Sequence, residues 1–178
     1  MKKYIILFIV ISAFSFINDV ERNIPNKNIK FIKFIEHNGK TIAPSYKKAN
    51  CVQFMDELLK QYIDINKSTS KRIYINIDMN RVETLINKND STIVAGVCWA
   101  LVTSKKAKWI NPSEVKRGDI VQYWSSEGFI NGHCGIIYSE DKDGYIIYSS
   151  HPDSKGFGKI NVMNKTMKNV KFYFVRLI

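Results

Sequence analysis

The sequence predicts an α+β domain in which helices pack on one face of an antiparallel β-sheet. Two observations lead to this fold class. Stretches with the periodicity of helices dominate the chain up to Asn111-Pro112, where proline breaks the pattern. Beyond that point the chain consists of short stretches rich in β-branched and aromatic residues, separated by polar turns. Runs of helices followed by a meander of strands are typical of α+β folds.

The chain opens with a segment typical of an export signal. Lys2 and Lys3 precede an apolar run over residues 4–17, which is short for a membrane span. Small residues near its end have the spacing of a cleavage site. We therefore expect residues 1–15 to be a signal peptide and residues 16–178 to form one secreted or periplasmic domain, without stable membrane insertion after cleavage. The alternative is an uncleaved anchor.

The composition is strongly basic. The formal net charge is +11, of which two charges belong to the predicted signal peptide. Nucleic acid is the usual partner of such a protein, but an exported protein rarely meets it, and we expect no nucleic-acid partner. The polyanions of a bacterial envelope are the expected counterpart, and a merely soluble basic surface is the alternative for any single lysine. The sequence leaves the oligomeric state open.

The sequence contains three cysteines, Cys51, Cys98 and Cys134. An odd count in an exported protein leaves at least one thiol unpaired, and three are too few for a disulfide framework. One reactive cysteine plus an optional bridge fits this count. A bridge between Cys98 and Cys134 requires the helix that contains Cys98 to pack on the strand face that contains Cys134. Two separate buried thiols are the alternative.

Three helices are expected before the strands. Asn50 and Gln53 have the spacing of a capping box, and the apolar residues that follow recur at helical spacing, so Cys51 is the first residue of an amphipathic helix. A second helix is predicted over residues 81–87. A third lies within STIVAGVCWALVTSKK and is nearly apolar on all sides, which predicts burial. The earlier stretch NIKFIKFIEHNGKTI is predicted to be a short strand with an Asn-Gly turn.

Four strands are predicted in the second part of the chain. They are contained in RGDIVQYW, GHCGIIYS, GYIIYSS and NVKFYFVRLI, and the polar turn EDKDG joins the second to the third. Side chains alternate along a strand, so His133 and Gly135 share one face and Cys134 points to the other. Because glycine weakens a strand, we interpret Gly132 and Gly135 as leaving room around His133.

Cys51 is the candidate nucleophile. A thiol with an ordinary pKa of about 8.5 is mostly protonated at neutral pH. The unpaired N–H groups and the dipole at a helix N-terminus lower that pKa, and the same N–H groups can bind an oxyanion. Of the three cysteines, only Cys51 has that position. The alternative is a small buried cysteine in an ordinary helix.

His133 is the candidate base and His151 the candidate group that orients it. If their two strands pair through EDKDG, the two histidines lie close together, and a third polar group is the usual completion of a Cys–His pair. Asp153 is the rival for the orienting role. The alternatives are an exposed histidine on an edge strand for His133 and a loop residue for His151. His37 is predicted to be an exposed turn residue.

This order of residues resembles the NlpC-type cell-wall cysteine peptidases and their CHAP relatives, which have a circularly permuted papain-like fold. The resemblance rests on NCVQF, RGDIVQYW, GHCGIIYS and HPDSKGFG, and covers roughly residues 49–158. The chain departs from the family at the nucleophile, where Asn-Cys-Val-Gln replaces Asp-Cys-Ser-Gly. It also has about 65 residues between the nucleophile and the Gly118-Asp119 turn. This insert affects the expected substrate pocket more than the Cys–His dyad, and it resembles the exported amidase effectors that share this fold.

The resemblance implies an exported cysteine hydrolase that cleaves amide bonds of peptidoglycan peptides, as an endopeptidase or an amidase. Cys51 would be the nucleophile, His133 the base and His151 the orienting residue. No cofactor is implied, and no metal is expected because neither C-x-x-C nor H-E-x-x-H is present. Two alternatives are a catalytically inactive wall- or surface-binding module of the same fold and an acyltransferase with the same dyad.

Overall fold

The computed structural model describes residues 24–75, 77–126, 132–163 and 169–178. The predicted signal peptide lies outside these residues. The described helices are α1 (Asn26–Ile42), α2 (Cys51–Ile63), α3 (Lys67–Ile73), α4 (Val82–Asn87) and α5 (Val97–Thr103). The described strands are β1 (Ala107–Trp109), β2 (Ile120–Ser125), β3 (Gly132–Asp141), β4 (Gly144–His151), β5 (Gly156–Met163) and β6 (Val170–Leu177). None of the described helices has the length and hydropathy needed to span a membrane.

The strands form one antiparallel sheet in the order β1-β6-β2-β3-β4-β5. Strands β2 to β5 are a meander, and β6 returns to pair with β2 on its other side. Helices α1, α2 and α5 pack against this sheet, while α3 packs on α2 and α5. The predicted fold class, α+β with helices packed on an antiparallel sheet, is confirmed.

The prediction for the first element was wrong. The stretch that we expected to be a strand and a turn is the 17-residue helix α1, so His37 is exposed but lies in a helix. Its buried positions have helical spacing, and Phe157 packs where the Cβ of Gly39 would be, so that this glycine serves a close contact and not a turn. Three elements, α3, β1 and β5, were not predicted. The helix around Cys98 was expected to be buried on all sides, but Trp99 is exposed.

The two faces of the sheet bury different cores. The face toward the helices contributes Ile120, Ile136 and Val175 to a large core with α1, α2 and α5. The opposite face carries a second cluster formed by side chains of β2 to β6. There the rings of Tyr145 in β4 and Phe174 in β6 lie 5.3 Å apart, although two strands separate β4 from β6 and a flat sheet would place them about 14 Å apart. The sheet is therefore strongly curled, and the described residues that pack in this cluster belong to strands and loops.

A buried ionic cluster joins the ends of the fold. Asp119, fully buried just before β2, accepts hydrogen bonds from Arg176 of β6 at 2.8 Å and from the Asn28 amide of α1 at 2.8 Å. The main-chain N–H of Lys116 donates to the same carboxylate at 2.7 Å. This one side chain thus ties α1 and β6 to the centre of the sheet.

Candidate active site

Cys51 is the first residue of α2, as predicted from the capping box. The Asn50 side chain accepts a hydrogen bond from the Gln53 N–H at 3.0 Å, and the Gln53 side chain accepts one from the Asn50 N–H at 3.0 Å. The hydroxyl of Ser150 in β4 donates to the carbonyl of Ala49. The start of α2 is therefore fixed both by its own cap and by the sheet.

The sulfur of Cys51 lies where β3 and β4 part. The ladder between these strands ends at the pair Ile136–Tyr148, and beyond it the Ser149 hydroxyl donates to the Cys134 carbonyl at 2.7 Å. The Cys51 thiol lies beside the main chain and the side chain of Cys134 at this point, and beside the side chain of His133, and all three lower its pKa. A helix on one face of the sheet thereby reaches a histidine that belongs to the other face.

These contacts favour the thiolate. The hydrogen bond with the Cys134 side chain is the largest cause of a pKa of Cys51 well below its ordinary value. Burial opposes this shift, because it disfavours charge, and the hydrogen bond and charge of His133 support it. The counterpart is Cys134, whose pKa is raised well above its ordinary value by its hydrogen bond with Cys51 and by burial. Of the two thiols, Cys51 is thus the one that loses its proton first.

The structure brings His133 and His151 together. Their rings meet edge to face with centroids 5.3 Å apart, and continuing the β3–β4 register would place them opposite each other. His133 is 4% exposed and also contacts the ring of Tyr123, with centroids 5.9 Å apart. Among the described residues its Nε2 atom is buried without a hydrogen-bond partner. The contact between the two histidines is therefore a ring contact, not a hydrogen bond.

Asp153 contacts His151, not His133, among the described interactions. The Asp153 N–H donates to Nδ1 of His151 at 3.1 Å, and a carboxylate oxygen of Asp153 lies 3.4 Å from the same nitrogen. An Nδ1 atom that accepts a hydrogen bond leaves the proton of neutral His151 on Nε2. Burial lowers the pKa of His151, and the neighbouring His133 lowers it further, which favours the neutral form.

A pocket of about 110 Å³ opens beside the sulfur. Cys51, His133 and Cys134 line it together with a predominantly apolar wall formed by Val52, Ile73, Ile75, Gly96, Val97, Gln122, Trp124 and Gly132. No lining side chain among the described residues is an acid, a lysine or an arginine. Half of this wall, formed by Ile73, Ile75, Gly96 and Val97, comes from the long segment between α2 and β2, which the sequence analysis connected with the pocket but could not place.

Gln122 fixes one side of the pocket. Its side-chain amide donates to the Ala95 carbonyl at 2.6 Å, and its carbonyl oxygen accepts from the Cys98 N–H at 3.3 Å. Gly96 between them has φ +121°, and a Cβ there would lie 2.4 Å from the Gln122 side chain. The chain can pass this close to the strand only with glycine at this position.

The interpretation of the two strand glycines needs correction. A Cβ on Gly132 would meet the indole of Trp124 at 2.4 Å, and a Cβ on Gly135 would meet the Tyr148 carbonyl at 2.5 Å. Gly135 therefore admits the β4 backbone, not a ligand, next to the point where β3 and β4 part. Gly132 lines the pocket, but the space it leaves is filled by Trp124.

Two tyrosines near the sulfur were not predicted. Burial raises the pKa of Tyr46 and of Tyr123, and the charges of the Cys51–Cys134 pair raise both further. Tyr46 lies in the loop just before α2, which is fastened to β5 by a 2.9 Å hydrogen bond from Phe157 N–H to the Ala43 carbonyl. The closeness of Tyr46 to Cys51 in the sequence is the only sequence signal that could have identified this tyrosine.

All three cysteines are free. The considered bridge between Cys98 and Cys134 is not formed, and the alternative of separate buried thiols is the observed one. Cys98 is fully buried, its thiol donates to the Tyr173 carbonyl at 3.5 Å, and burial raises its pKa. Within the described part of the chain, no group of three acidic, histidine or cysteine side chains is placed to bind a metal ion.

The chain was compared with protein-family models, curated proteins and solved structures. No match was found. What the site can do is therefore inferred from its own residues: a helix-terminal thiolate, a buried imidazole beside it, a second imidazole against the first, and an uncharged pocket next to the sulfur.

Proposed function

We propose that this protein is an exported cysteine hydrolase that cleaves amide bonds of peptidoglycan peptides. The observation that carries the proposal is that Cys51, the first residue of α2, and His133 line one pocket, where His133 lowers the pKa of the Cys51 thiol. A nucleophile within hydrogen-bond reach of a base, with a third group against the base, is the arrangement that nucleophilic catalysis needs. The order of these residues along the chain resembles the NlpC-type and CHAP peptidases, which supports the substrate class.

In the proposed reaction the Cys51 thiolate attacks the amide carbonyl, and a carbon–sulfur bond forms. The capping box engages the N–H groups of Asn50 and Gln53. The N–H groups of Cys51 and Val52 are then the ones at the helix start that can stabilise the oxyanion. His133 takes the proton of the Cys51 thiol and gives it to the leaving amine as the carbon–nitrogen bond breaks. It then takes a proton from the water that attacks the thioester, and the carbon–sulfur bond breaks to release Cys51. His151 holds the imidazole of His133 by its edge-to-face contact.

The pocket beside the sulfur limits what the substrate can place there. Its volume of about 110 Å³ and its lining of aliphatic and indole groups suit a small uncharged side chain, because an unpaired charge in such surroundings is costly. The high positive charge of the chain supports a polyanionic wall as the larger substrate. We infer that a small apolar residue occupies this pocket next to the cleaved bond.

The test is incubation of the protein lacking residues 1–15 with purified muropeptides, followed by mass spectrometry of the products. We expect pairs of new products whose masses add up to that of the substrate plus one water, and none with Cys51→Ala as the matched control. Binding of muropeptides without products would instead assign a wall-binding module. Products joined to an added amine would assign an acyltransferase.

A further inference from the structure

Cys134 has no evident structural need for sulfur. It is 3% exposed, faces the helix-side core, and occupies a place that an aliphatic side chain would fill. Yet Cys134 lines the same pocket as Cys51, and the Cys51 thiol is the largest cause of its raised pKa. Two neighbouring thiols at one pocket are arranged for chemistry with each other.

The third cysteine does not share this arrangement. Cys98 is fully buried, does not line the pocket, and its thiol is bonded to the Tyr173 carbonyl. Susceptibility to oxidation follows thiolate character and access. Of the three cysteines, Cys51 has both, because it is the thiolate of its pair and lines the pocket. A peroxide that enters the pocket therefore meets Cys51 first and finds Cys134 beside it.

We propose that Cys134 is a resolving cysteine that forms a reversible disulfide with Cys51 when a peroxide oxidises the Cys51 sulfur. The disulfide prevents further oxidation of Cys51 to sulfinic and sulfonic acids, which thiols do not reverse. The chemistry of this pair does not depend on the proposed function. The consequence of this chemistry, a hydrolase that oxidation inactivates and thiols reactivate, rests on the proposed function.

The step balances with hydrogen peroxide as the oxidant. The Cys51 thiolate attacks one peroxide oxygen, the O–O bond breaks, and Cys51 sulfenic acid and hydroxide are formed. The Cys134 thiol then loses its proton and attacks the Cys51 sulfur, so that an S–S bond forms and the S–O bond breaks. The departing hydroxide takes the proton as water. Sulfur gives up two electrons in total, and one peroxide is reduced.

The experiment treats the purified protein lacking residues 1–15 with hydrogen peroxide and maps peptides without reduction. We expect a Cys51–Cys134 cross-linked peptide pair, a mass lower by about 2 Da than that of the two reduced peptides, which dithiothreitol reverts. In Cys134→Ala we expect Cys51 to accumulate as sulfinic and sulfonic acid that dithiothreitol does not revert. Cys98→Ala is the matched control and should behave as the wild type.

Two results would overturn the proposal. One is irreversible oxidation of Cys51 in the wild type to the same extent as in Cys134→Ala, and the other is a bridge that involves Cys98. If Cys134→Ala does not fold, the peptide map of the oxidised wild-type protein alone still tests the proposal. A Cys51–Cys134 bridge in a protein that cleaves no muropeptide would contradict the proposed function and leave the resolving role standing.

Discussion

At the scale of single residues, Cys51 differs from the other two cysteines by its neighbours. Its sulfur lies beside the side chain and main chain of Cys134 and beside His133, whereas the Cys98 thiol donates to a carbonyl. The sequence identified Cys51 from its helix position alone. It could not identify Cys134 as the main partner, because alternation along the strand turns Cys134 away from His133 and gives no sign that the two strands part there.

Replacing Cys51 by alanine should abolish hydrolysis and leave the fold intact. The proposed reaction needs a thiolate, whereas alanine is a good helix former and lacks only the sulfur atom of cysteine. Muropeptide cleavage and thermal unfolding measured on the same preparation would check this. Wild-type cleavage rates in Cys51→Ala would contradict the proposed mechanism.

The lowered pKa of Cys51 predicts selective alkylation. A thiol whose folded pKa lies below its unfolded value is already thiolate at a pH where ordinary thiols are protonated. Iodoacetamide at pH 6, with peptide mapping, should label Cys51 before Cys98 or Cys134, and the preference should vanish in denaturant. Faster labelling of Cys134 would reverse the assignment of the thiol that loses its proton first.

The alkylation profile also shows how much each neighbour contributes to the lowered pKa of Cys51. The hydrogen bond from Cys134 is the largest cause of the lowered pKa, so Cys134→Ala should move the midpoint of the labelling profile of Cys51 to higher pH. Cys98→Ala is the control and should leave that midpoint in place. An unchanged midpoint in Cys134→Ala would show that His133 and the helix N-terminus suffice.

At the scale of elements, the start of α2 is the part that the sequence predicted best. A capping box is a local pattern, and local patterns can be read from spacing. The prediction for the segment that forms α1 was wrong for the opposite reason. Asn38-Gly39 is a strong local turn signal, but the packing of Phe31 and Ile35 on one helix face against the sheet determines the structure. β5 was not predicted because this segment is a strand through its pairing with β4, and not through a local sequence pattern.

The cap of α2 should control reactivity as well as stability. Asn50→Ala removes the side chain that accepts from the Gln53 N–H, and should lower the free energy of unfolding by about 1 kcal/mol and slow alkylation of Cys51. Asn66 caps α3 in the same way, through the Thr69 N–H at 2.9 Å. Asn66→Ala is thus the matched control, with a similar loss of stability and unchanged alkylation. Equal effects on alkylation would contradict a specific role of the α2 cap.

At the scale of the whole molecule, the sequence predicted the α+β class because helices and strands are segregated along the chain. It did not predict the curl of the sheet, since curling depends on which aromatic rings of distant strands meet, such as Tyr145 and Phe174. It also could not place the segment that lines the pocket, because Ile73, Ile75 and Val97 reach the site through turns with no strong signature.

The buried cluster around Asp119 should dominate global stability. Asp119→Ala would leave Arg176 and the Asn28 amide without their shared partner, and breaking a buried ion pair in this way costs about 3–5 kcal/mol. Glu57→Ala removes an exposed carboxylate bonded to Gln61 and should change stability by about 0.5 kcal/mol or less. Urea unfolding of both proteins would check the difference. Similar midpoints would contradict the assigned role of the cluster.

The parting of β3 and β4 has a consequence for the life of the chain before it folds. Cys51 comes from the helical layer and His133 from the curled face, 82 positions further along. Their meeting requires both layers to be complete. In the chain that has not yet folded, Cys51 would be an ordinary, mostly protonated thiol. In the proposed hydrolase the reactive sulfur would therefore arise only once folding is complete.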